Sequence, residues 1–335
     1  YWARLASVAP SFVNSVTHAP LLRDIVKFFG GVAPQRELPR FAKQTFRAWF
    51  AKHESPVASH KRIILWPDTF NNYFLPQTAI AAVEVLEHAG FRVDLPKKTL
   101  CCGRPLYDYG MLRLAKSFLK SILDELREDI RAGVPVVGLE PSCVAVFRDE
   151  MLNLFPHDLD AKRLASQVFT LAEFLEREGW QPPMLHRKAL VQRHCHHQAV
   201  MGFDSDKKML EQLGLELEIP DSGCCGMAGS FGYEHGERYD VSVKCAERAL
   251  LPKVREAPAD TLIVADGFSC REQIQQLSGK KALHLADILQ MALARHHDVV
   301  RGNGKHNGRI ALRRVAAIAA GTLAAGTIIA WRTKM

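Results

Sequence analysis

The sequence lacks several features by which functions are usually assigned, and each absence excludes a class of protein. Eight cysteines among 335 residues are too few for a disulfide scaffold. We recognise no secretory signal peptide in it. The net charge of +8 comes without an aromatic–basic platform or a DNA-reading motif, which argues against a nucleic-acid-binding protein. The glycine-rich residues 226–232 lack the Lys-Ser/Thr of a P-loop, so we expect no phosphate site there and instead expect them to let a helix pack closely over a bound metal cluster.

The cysteines that are present form an unusual pattern. Two Cys-Cys-Gly triplets occur, at Cys101-Cys102-Gly103 and at Cys224-Cys225-Gly226. Adjacent cysteines rarely bond to each other, because a vicinal disulfide strains the peptide between them. Two thiolates on one tight turn are typical of soft metal ligands. Without a signal peptide, this pattern indicates metal or redox chemistry in a reducing compartment.

Hydrophobic patterning places each triplet in a repeated unit of strands and helices. The predicted strands are residues 63–66, 91–95 and 134–139 in the first unit, and residues 189–192, 215–219 and 261–265 in the second. The predicted helices include residues 77–89, 111–132, 207–213 and 241–254, and similar helices near Thr170 and His284 close the two units. We therefore predict an α/β fold of two pseudo-repeated, Rossmann-like units with mostly parallel sheets.

We predict four regions along the chain. Residues 1–58 are a helical packing or linker region, in which residues 21–29 place an apolar face on one helix. Residues 59–180 are the first unit, with an incomplete cysteine set, and residues 181–297 are the second, cluster-binding unit. Residues 298–335 combine a basic flank with a hydrophobic helix. Since the sequence opens with Tyr1 in a helix-like segment, we expect a longer protein in which these regions lie towards the C-terminus.

The tail of the sequence predicts a membrane contact. Residues 315–331 carry no charge, and their helical length falls slightly short of a hydrocarbon core of about 30 Å. Two interpretations stay open: a membrane anchor, or an alanine-rich helix that packs on a partner. Basic residues precede this segment, which predicts a cytoplasmic protein attached to the cytoplasmic face of the membrane.

The second unit offers a complete set of metal ligands. Cys195, Cys224, Cys225 and Cys270 each follow a predicted strand, so one cleft at the strand ends can collect them. Four thiolates suit an iron–sulfur cluster or a closed zinc site. The neighbouring His194 and His196 either hydrogen-bond a sulfur atom or belong to a plain polar loop. Cys245 falls within a predicted helix, away from the strand ends, and is interpreted as a structural thiol.

The first unit offers only three candidate ligands. Cys101, Cys102 and Cys143 match Cys224, Cys225 and Cys270, but no cysteine matches Cys195. The corresponding position falls near Pro67-Asp68. These thiols either hold zinc, with Asp68 or water as a fourth ligand, or are a relic that now serves packing.

These motifs resemble the cysteine-rich CCG domain family. The resemblance covers residues 60–290 and lies in Leu65-Trp-Pro-Asp-Thr69, Cys101-Cys-Gly-Arg-Pro105, Glu140-Pro-Ser-Cys143 and residues 223–232. This part of the sequence is similar to the C-terminal iron–sulfur region of FAD-linked D-2-hydroxyacid dehydrogenases of the D-lactate, D-2-hydroxyglutarate and glycolate oxidase type. It is also similar to the B subunit of heterodisulfide reductase. The reductases end each unit in Cys-x-x-Cys. Here Glu140 and Gly267 replace the first cysteine of that motif, which favours a four-cysteine cluster over a five-cysteine one.

The resemblance implies an electron-transfer module. A flavin on an upstream domain or partner, with ferredoxin-like clusters, would oxidise a 2-hydroxyacid, and electrons would pass through a 4Fe-4S cluster in the second unit towards a quinone or another acceptor. We find no residue here suited to oxidise a hydroxyacid unaided, so the chain is expected to be the electron-transfer part of an oxidoreductase. Two alternatives remain: a thiol–disulfide reductase, and a zinc-stabilised membrane adaptor without a redox role.

Overall fold

Four short helices open the structure. The computed structural model describes the backbone of residues 2–302 and the side chains of residues 3–296. The opening helices are α1 (Trp2–Ala6), α2 (Pro10–His18), α3 (Leu22–Phe29) and α4 (Phe46–Phe50). Their presence agrees with the helical content predicted for this region.

The apolar face predicted on α3 is not buried within the described residues. Ile25 is 53% exposed and Phe29 is 84% exposed. The helix instead buries Lys27, whose ammonium group donates to the carbonyl of Pro34 and to the Glu37 carboxylate. Periodicity therefore identified the helix but not the side of it that packs.

The first sheet is built from residues 62–170. Its four strands are β1 (Arg62–Trp66), β2 (Arg92–Asp94), β3 (Val136–Gly138) and β4 (Val168–Thr170), all parallel, in the order β2-β1-β3-β4. The accompanying helices are α5 (Thr69–Tyr73), α6 (Pro76–His88), α7 (Arg104–Asp108), α8 (Leu112–Arg131), α9 (Pro141–Arg148), α10 (Glu150–Leu154), α11 (Leu159–Gln167) and α12 (Leu171–Arg177).

The second sheet repeats this arrangement. Its strands are β5 (Lys188–Val191), β6 (Glu216–Glu218), β7 (Leu262–Val264) and β8 (Ala282–Leu283), all parallel, in the order β6-β5-β7-β8. The remaining elements are a π-helical turn (His197–Met201), α13 (Asp204–Gln212), a 3-10 turn (Phe231–Tyr233), α14 (Glu237–Glu247), α15 (Leu250–Glu256), α16 (Phe268–Ser278) and α17 (Leu285–Gly302). Two sheets with one strand order confirm the predicted α/β fold with parallel sheets.

The sequence analysis missed the fourth strand of each sheet. These strands, β4 and β8, are two or three residues long and run straight into the N-terminus of a helix. Thr170 caps α12 in a reciprocal capping box with Glu173, and the backbone N–H of His284 donates to the Asp287 carboxylate in the same way. The capping signals dominated the sequence pattern, so the short strands before them went unrecognised.

The helix predicted over residues 241–254 is broken into α14 and α15. Pro252 lies in the first turn of α15. In an unbroken helix its ring would clash with the carbonyl of Arg248, and it has no N–H to continue the hydrogen-bond ladder. The break therefore follows from the proline, which the periodicity alone did not reveal.

The two sheets belong to one unit, because the contacts divide the chain only after Leu293. A shared hydrophobic core includes Val137 of the first sheet and Val264 of the second. The rings of Phe70 and Phe268 stack across the joint with centroids 4.2 Å apart. At their strand ends the two repeats are thus held in fixed register.

Within the described residues, no helix combines the length and apolar character needed to span a bilayer. The hydrophobic segment predicted at residues 315–331 lies outside the described residues.

Candidate metal centre

The structure brings together the four cysteines predicted for the second unit. Cys195 follows β5, the Cys224-Cys225 pair follows β6, and Cys270 lies in the first turn of α16 after β7. The Cys224 thiol contacts those of Cys195 and Cys225, and Cys225 in turn contacts Cys270. None of the four forms a disulfide. These pairwise hydrogen bonds link the four free thiols in a row, and thiols so gathered are the donor type that soft metal centres take.

The site is buried at one end and open at the other. Cys225 and Cys270 are 5% and 2% exposed, whereas Cys195 is exposed to solvent. Hydrogen bonds from the thiols of Cys195 and Cys225 lower the pKa of Cys224 to about 2, and the N–H of Gly226 donates to the same sulfur at 3.3 Å. The hydrogen bonds to Cys224 raise the pKa of Cys195 and Cys225 in return. The surroundings therefore favour negative charge on sulfur at the centre of the set.

A glycine turn fixes the direction of the cysteine pair. Gly226 has a φ of +86°, and a Cβ added there would lie 2.2 Å from the Ser242 carbonyl oxygen of α14. At Gly232 an added Cβ would lie 2.5 Å from the Ser242 hydroxyl. Helix α14 thus packs directly on the loop, as the glycine-rich segment predicted, and Gln273 ties the loop down by donating to the Cys225 carbonyl at 2.9 Å.

A buried arginine lies beneath this loop, and the sequence analysis did not identify it. Arg36 is fully buried and donates to the Gly232 carbonyl at 2.7 Å and to the Ser242 hydroxyl at 3.1 Å. Burial lowers the pKa of Arg36, while the nearby Tyr239, Tyr233 and Cys225 act in the opposite direction. Its segment was interpreted as a linker, because no sequence signal connects it with a site about 200 residues later. Its positive charge interacts electrostatically with the Cys225 thiol.

Cys245 also lies at the second site, although the sequence analysis set it apart. Its thiol donates to the Cys224 carbonyl at 3.5 Å from α14. The helical prediction was right, but its position relative to the strand ends was wrong, because α14 folds back over the cysteine loop. The same thiol also hydrogen-bonds the Cys224 thiol, so Cys245 lies beside the predicted thiol set as well as supporting the loop.

A ring nitrogen of each of the two histidines considered as sulfur partners lies within 4.8 Å of Cys195 Sγ, and His196 is the nearer one at hydrogen-bond distance. Its Nδ1 lies 3.7 Å from Cys195 Sγ. His194 is buried, and burial followed by repulsion from His196 and His197 lowers its pKa to about 3. Its ring packs on Gly267, where an added Cβ would lie 2.2 Å from His194 Cδ2. Gly267, which stands at the first cysteine position of the Cys-x-x-Cys motif, therefore leaves room for the His194 imidazole.

The first unit also gathers its three cysteines. The Sγ atoms of Cys102 and Cys143 are 3.1 Å apart, and Cys101 contacts Cys102. The hydrogen bond with Cys102 lowers the pKa of Cys143, but burial and the charges of Asp68 and Glu140 outweigh it and raise the pKa to about 11. The pKa of all three thiols is raised, which favours the protonated, neutral form, whereas the pKa of Cys224 is lowered.

The fourth position of the first set is occupied by Thr69. Its hydroxyl lies 4.0 Å from Cys101 Sγ, just as Cys195 approaches Cys224 in the second unit. The Asp68 carboxylate, considered as a zinc ligand from the sequence, caps α5 instead and accepts from the N–H groups of Phe70 and Asn71 and from the Asn71 amide. The first set is thus three thiols and a hydroxyl.

Glu140, the other departure from the Cys-x-x-Cys motif, joins the two repeats. Its carboxylate accepts from the Phe268 N–H at 2.9 Å and from the Ser142 hydroxyl at 2.9 Å. Burial, followed by repulsion from Asp68, raises the pKa of Glu140 to about 7. This side chain connects the end of β3 with the helix that carries Cys270.

Comparison with known proteins agrees with this geometry. The sequence pattern of the "Cysteine-rich domain" family, CCG, matches residues 69–148 and 195–275. The two matched segments begin at Thr69 and Cys195, the pair that occupies equivalent positions in the two sites. Each segment also contains one Cys-Cys-Gly triplet and the single cysteine that follows it.

Three relatives illustrate the similarity. The chain is 29% identical over 301 residues to the C subunit of the anaerobic glycerol-3-phosphate dehydrogenase of Escherichia coli (strain K12), covering 87% of this chain and 75% of the relative. It is 30% identical over 251 residues to lactate utilization protein A of Geobacillus kaustophilus, covering 68% of this chain and 98% of the relative. It is 27% identical over 242 residues to D-2-hydroxyglutarate dehydrogenase of Pseudomonas putida, covering 71% of this chain but 23% of that longer protein.

Proposed function

Because the chain belongs to the family of cysteine-rich CCG domains, we propose that it is the iron–sulfur electron-transfer module of an FAD-linked 2-hydroxyacid dehydrogenase or oxidase. It passes electrons from the flavin towards a quinone or another acceptor. The observation that carries this proposal is the continuous contact of the four thiols of Cys195, Cys224, Cys225 and Cys270 at the ends of three parallel strands.

The donor set fits an iron–sulfur cluster. Four cysteine thiolates are the ligands of a 4Fe-4S cluster, and such a cluster supplies one-electron transfer when bound. Thiolates select iron–sulfur clusters and zinc over hard cations such as magnesium. The same four residues would hold either group, so metal analysis distinguishes the proposed function from a zinc-stabilised adaptor.

The protein's own residues adjust the charge of the site. The Gly226 N–H donates to Cys224, and the buried Arg36 guanidinium lies close to Cys225. Hydrogen bonds to sulfur and nearby positive charge stabilise the reduced, more negative state of a bound cluster. Burial of Cys225 and Cys270 excludes water at the inner end, and the exposed Cys195 marks the side from which electrons enter or leave.

The partners follow from the relatives' names, which refer to dehydrogenation of glycerol-3-phosphate or D-2-hydroxyglutarate and to use of lactate. We propose that the substrate and the FAD lie on an upstream domain or on a flavoprotein partner with ferredoxin-like clusters. The module acts in the cytoplasm, and its tail attaches it to the membrane where a quinone is available. The three thiols of the first set are proposed to hold zinc, with water as the fourth ligand.

The test is the metal content of anaerobically purified protein, with EPR spectra before and after dithionite. We expect about four irons and four sulfides per chain in the wild type, the content of one 4Fe-4S cluster. Cys225→Ser should lose them. Cys143→Ser is the matched control, since Cys143 belongs to the first set of thiols and lies outside this site, and it should keep them.

With a flavoprotein partner added, Cys225→Ser should abolish electron flow from substrate to quinone and leave flavin reduction intact. Unchanged quinone reduction in that variant would refute the proposal. Stoichiometric zinc without iron or an EPR signal would instead favour the structural adaptor.

A further inference from the structure

A second group of potential metal ligands lies behind the histidine loop, separate from the thiols. His197 in the π-helical turn, Asp206 on α13 and Asp266 after β7 are 2%, 3% and 9% exposed. One ligand atom from each lies within 4.8 Å of the others. They border a cavity of about 10 Å³, whose walls are otherwise mostly apolar. That volume is about the size needed for one water molecule or one ion.

Two members of this group, His197 and Asp206, have polar atoms without a well-formed hydrogen bond among the described residues. His197 Nε2 and Asp206 Oδ2 are 3.0 Å apart, within ion-pair distance, but the contact does not meet hydrogen-bond geometry, and neither atom has another partner there. Buried polar atoms without partners are rare, because each loses its hydration without compensation. Two ligand atoms bound to one ion at about 2.1 Å are themselves about 3–3.5 Å apart. The 3.0 Å distance between His197 Nε2 and Asp206 Oδ2, without hydrogen-bond geometry, therefore fits two ligands directed at one ion.

Positive groups balance the two aspartates only in part. Burial raises the pKa of Asp266, but the charges of His284 and His197 outweigh it and lower that pKa. His284 lies 3.7 Å from Asp266, and its ring nitrogens also bond to the Leu139 carbonyl and the Ala286 N–H. The Glu173 carboxylate, on the neighbouring α12, adds negative charge and is already paired with Arg148. The group therefore has more buried negative charge than positive.

The first repeat shows what fills the equivalent place. Asn71 and Thr78 correspond to His197 and Asp206: Asn71 and His197 each lie two residues after the start of the matched segment, and Thr78 and Asp206 are each the third residue of their helix. The guanidinium of Arg271 lies between the two first-repeat side chains and donates to Thr78 Oγ1 at 3.0 Å and to Asn71 Oδ1 at 3.2 Å.

The first repeat thus has a permanent cation at this place, whereas the second has only the imidazole of His197, whose pKa the Asp206 carboxylate raises against the effect of burial. Arg271 directly follows Cys270, and the residue that directly follows the equivalent Cys143 is Val144. Helix α9, which carries Val144, packs against the π-helical turn, as α16 packs against the first repeat. The first repeat has an amide oxygen and a hydroxyl oxygen around the Arg271 guanidinium. The second repeat has an imidazole and two carboxylates, and the residue equivalent to Arg271 is the uncharged Val144.

We propose that His197, Asp206 and Asp266 bind a divalent transition-metal ion of the zinc class, which takes the place that the Arg271 guanidinium has in the first repeat. Imidazole and carboxylate together select zinc-class ions over magnesium and calcium, which prefer oxygen ligands alone. The ion would tie β5, α13 and β7 together behind Cys195. This site is independent of the cluster and of the proposed function, since it uses no thiol.

The test is titration of the full-length, anaerobically purified protein with Co²⁺, after its iron, sulfide and zinc have been measured. Cobalt bound by nitrogen and oxygen gives visible d–d absorption without the thiolate-to-cobalt band in the near ultraviolet. We expect the wild type to bind one equivalent with this spectrum. Asp206→Asn, nearly isosteric, should weaken this binding by more than about tenfold, the lower end of the loss caused by removing a second-shell partner.

Asp160→Asn is the control, because Asp160 is likewise a buried aspartate but is satisfied by Arg131 and Arg163 outside the site. It should bind cobalt as the wild type does. Asp266→Asn is a second variant, and it keeps an oxygen to accept from the Leu285 N–H. Both site variants should retain the wild-type iron and sulfide, which shows that they fold. Equal cobalt binding by the wild type and Asp206→Asn, or cobalt bound only with the thiolate band, would overturn the proposal.

Discussion

The glycine of the second Cys-Cys-Gly triplet offers the sharpest test of how the thiol set is positioned. Gly226→Ala introduces two separate costs. The left-handed φ of +86° disfavours any side chain, by about 1 kcal/mol or more. The new Cβ would also lie 2.2 Å from the Ser242 carbonyl oxygen, which belongs to the backbone of α14 and cannot rotate away. Forcing an extra carbon into such a contact costs about 1–3 kcal/mol.

Gly229→Ala separates the two costs. Gly229 is in the same loop with a φ of +66°, but nothing lies within 4 Å of its added Cβ. We therefore expect a loss of about 1 kcal/mol in the free energy of unfolding for Gly229→Ala, and about 3 kcal/mol for Gly226→Ala. Urea unfolding measures both.

Metal analysis should show iron lost from Gly226→Ala alone, because only that substitution displaces the Cys224-Cys225 pair. Equal destabilisation and equal iron content in the two variants would refute the argument that α14 holds the turn by close contact.

Two further predictions concern buried charges. Burial, then repulsion from Asp68, raises the pKa of Glu140 from 4.5 to about 7, so the folded protein holds this proton more tightly than the unfolded chain. The resulting stability is complete below about pH 4.5 and is lost as the pH rises through 7. The free energy of unfolding of the wild type, measured with urea, should therefore fall by about 3 kcal/mol across this window because of this group. Glu140→Gln should lack that pH-dependent component. Arg36→Met removes the positive charge near Cys225, so redox titration should find a midpoint potential more negative by roughly tens of millivolts, on the order of 1 kcal/mol; an unchanged potential would exclude an electrostatic role for Arg36.

Local sequence patterns were sufficient for the repeated fold. The three predicted strands of each unit appear as β1, β2 and β3 and as β5, β6 and β7, because short apolar runs bounded by turns and loops are characteristic of buried parallel strands. The thiol set was predictable for a related reason. Parallel strands end at one edge of a sheet, so residues that directly follow those strands must meet there. Cys195 and Cys270 come together by this rule.

The supporting residues were not predictable, because their contacts bring together distant parts of the chain. Arg36 reaches the glycine loop from a segment with no recognisable motif, and Cys245 reaches it because α14 folds back after the loop. Neither approach has a local periodicity or capping signal. The substitution of Thr69 for a cysteine was also missed, because its position depends on how the chain turns after β1 rather than on distance along the sequence.

The joint between the repeats explains why the second site is limited to four thiols. The heterodisulfide reductases that the sequence resembles have a further cysteine where this chain has Gly267. A side chain at that position would begin 2.2 Å from the ring of His194, which is itself buried. The equivalent Glu140 in the first repeat is committed to the backbone N–H of Phe268 across the joint. Restoring either cysteine would therefore disturb the packing that brings Cys270 to the other thiols. A set of four thiols with no cysteine at Gly267 favours electron transfer over binding of a disulfide substrate, which would require an additional thiol or an open coordination position.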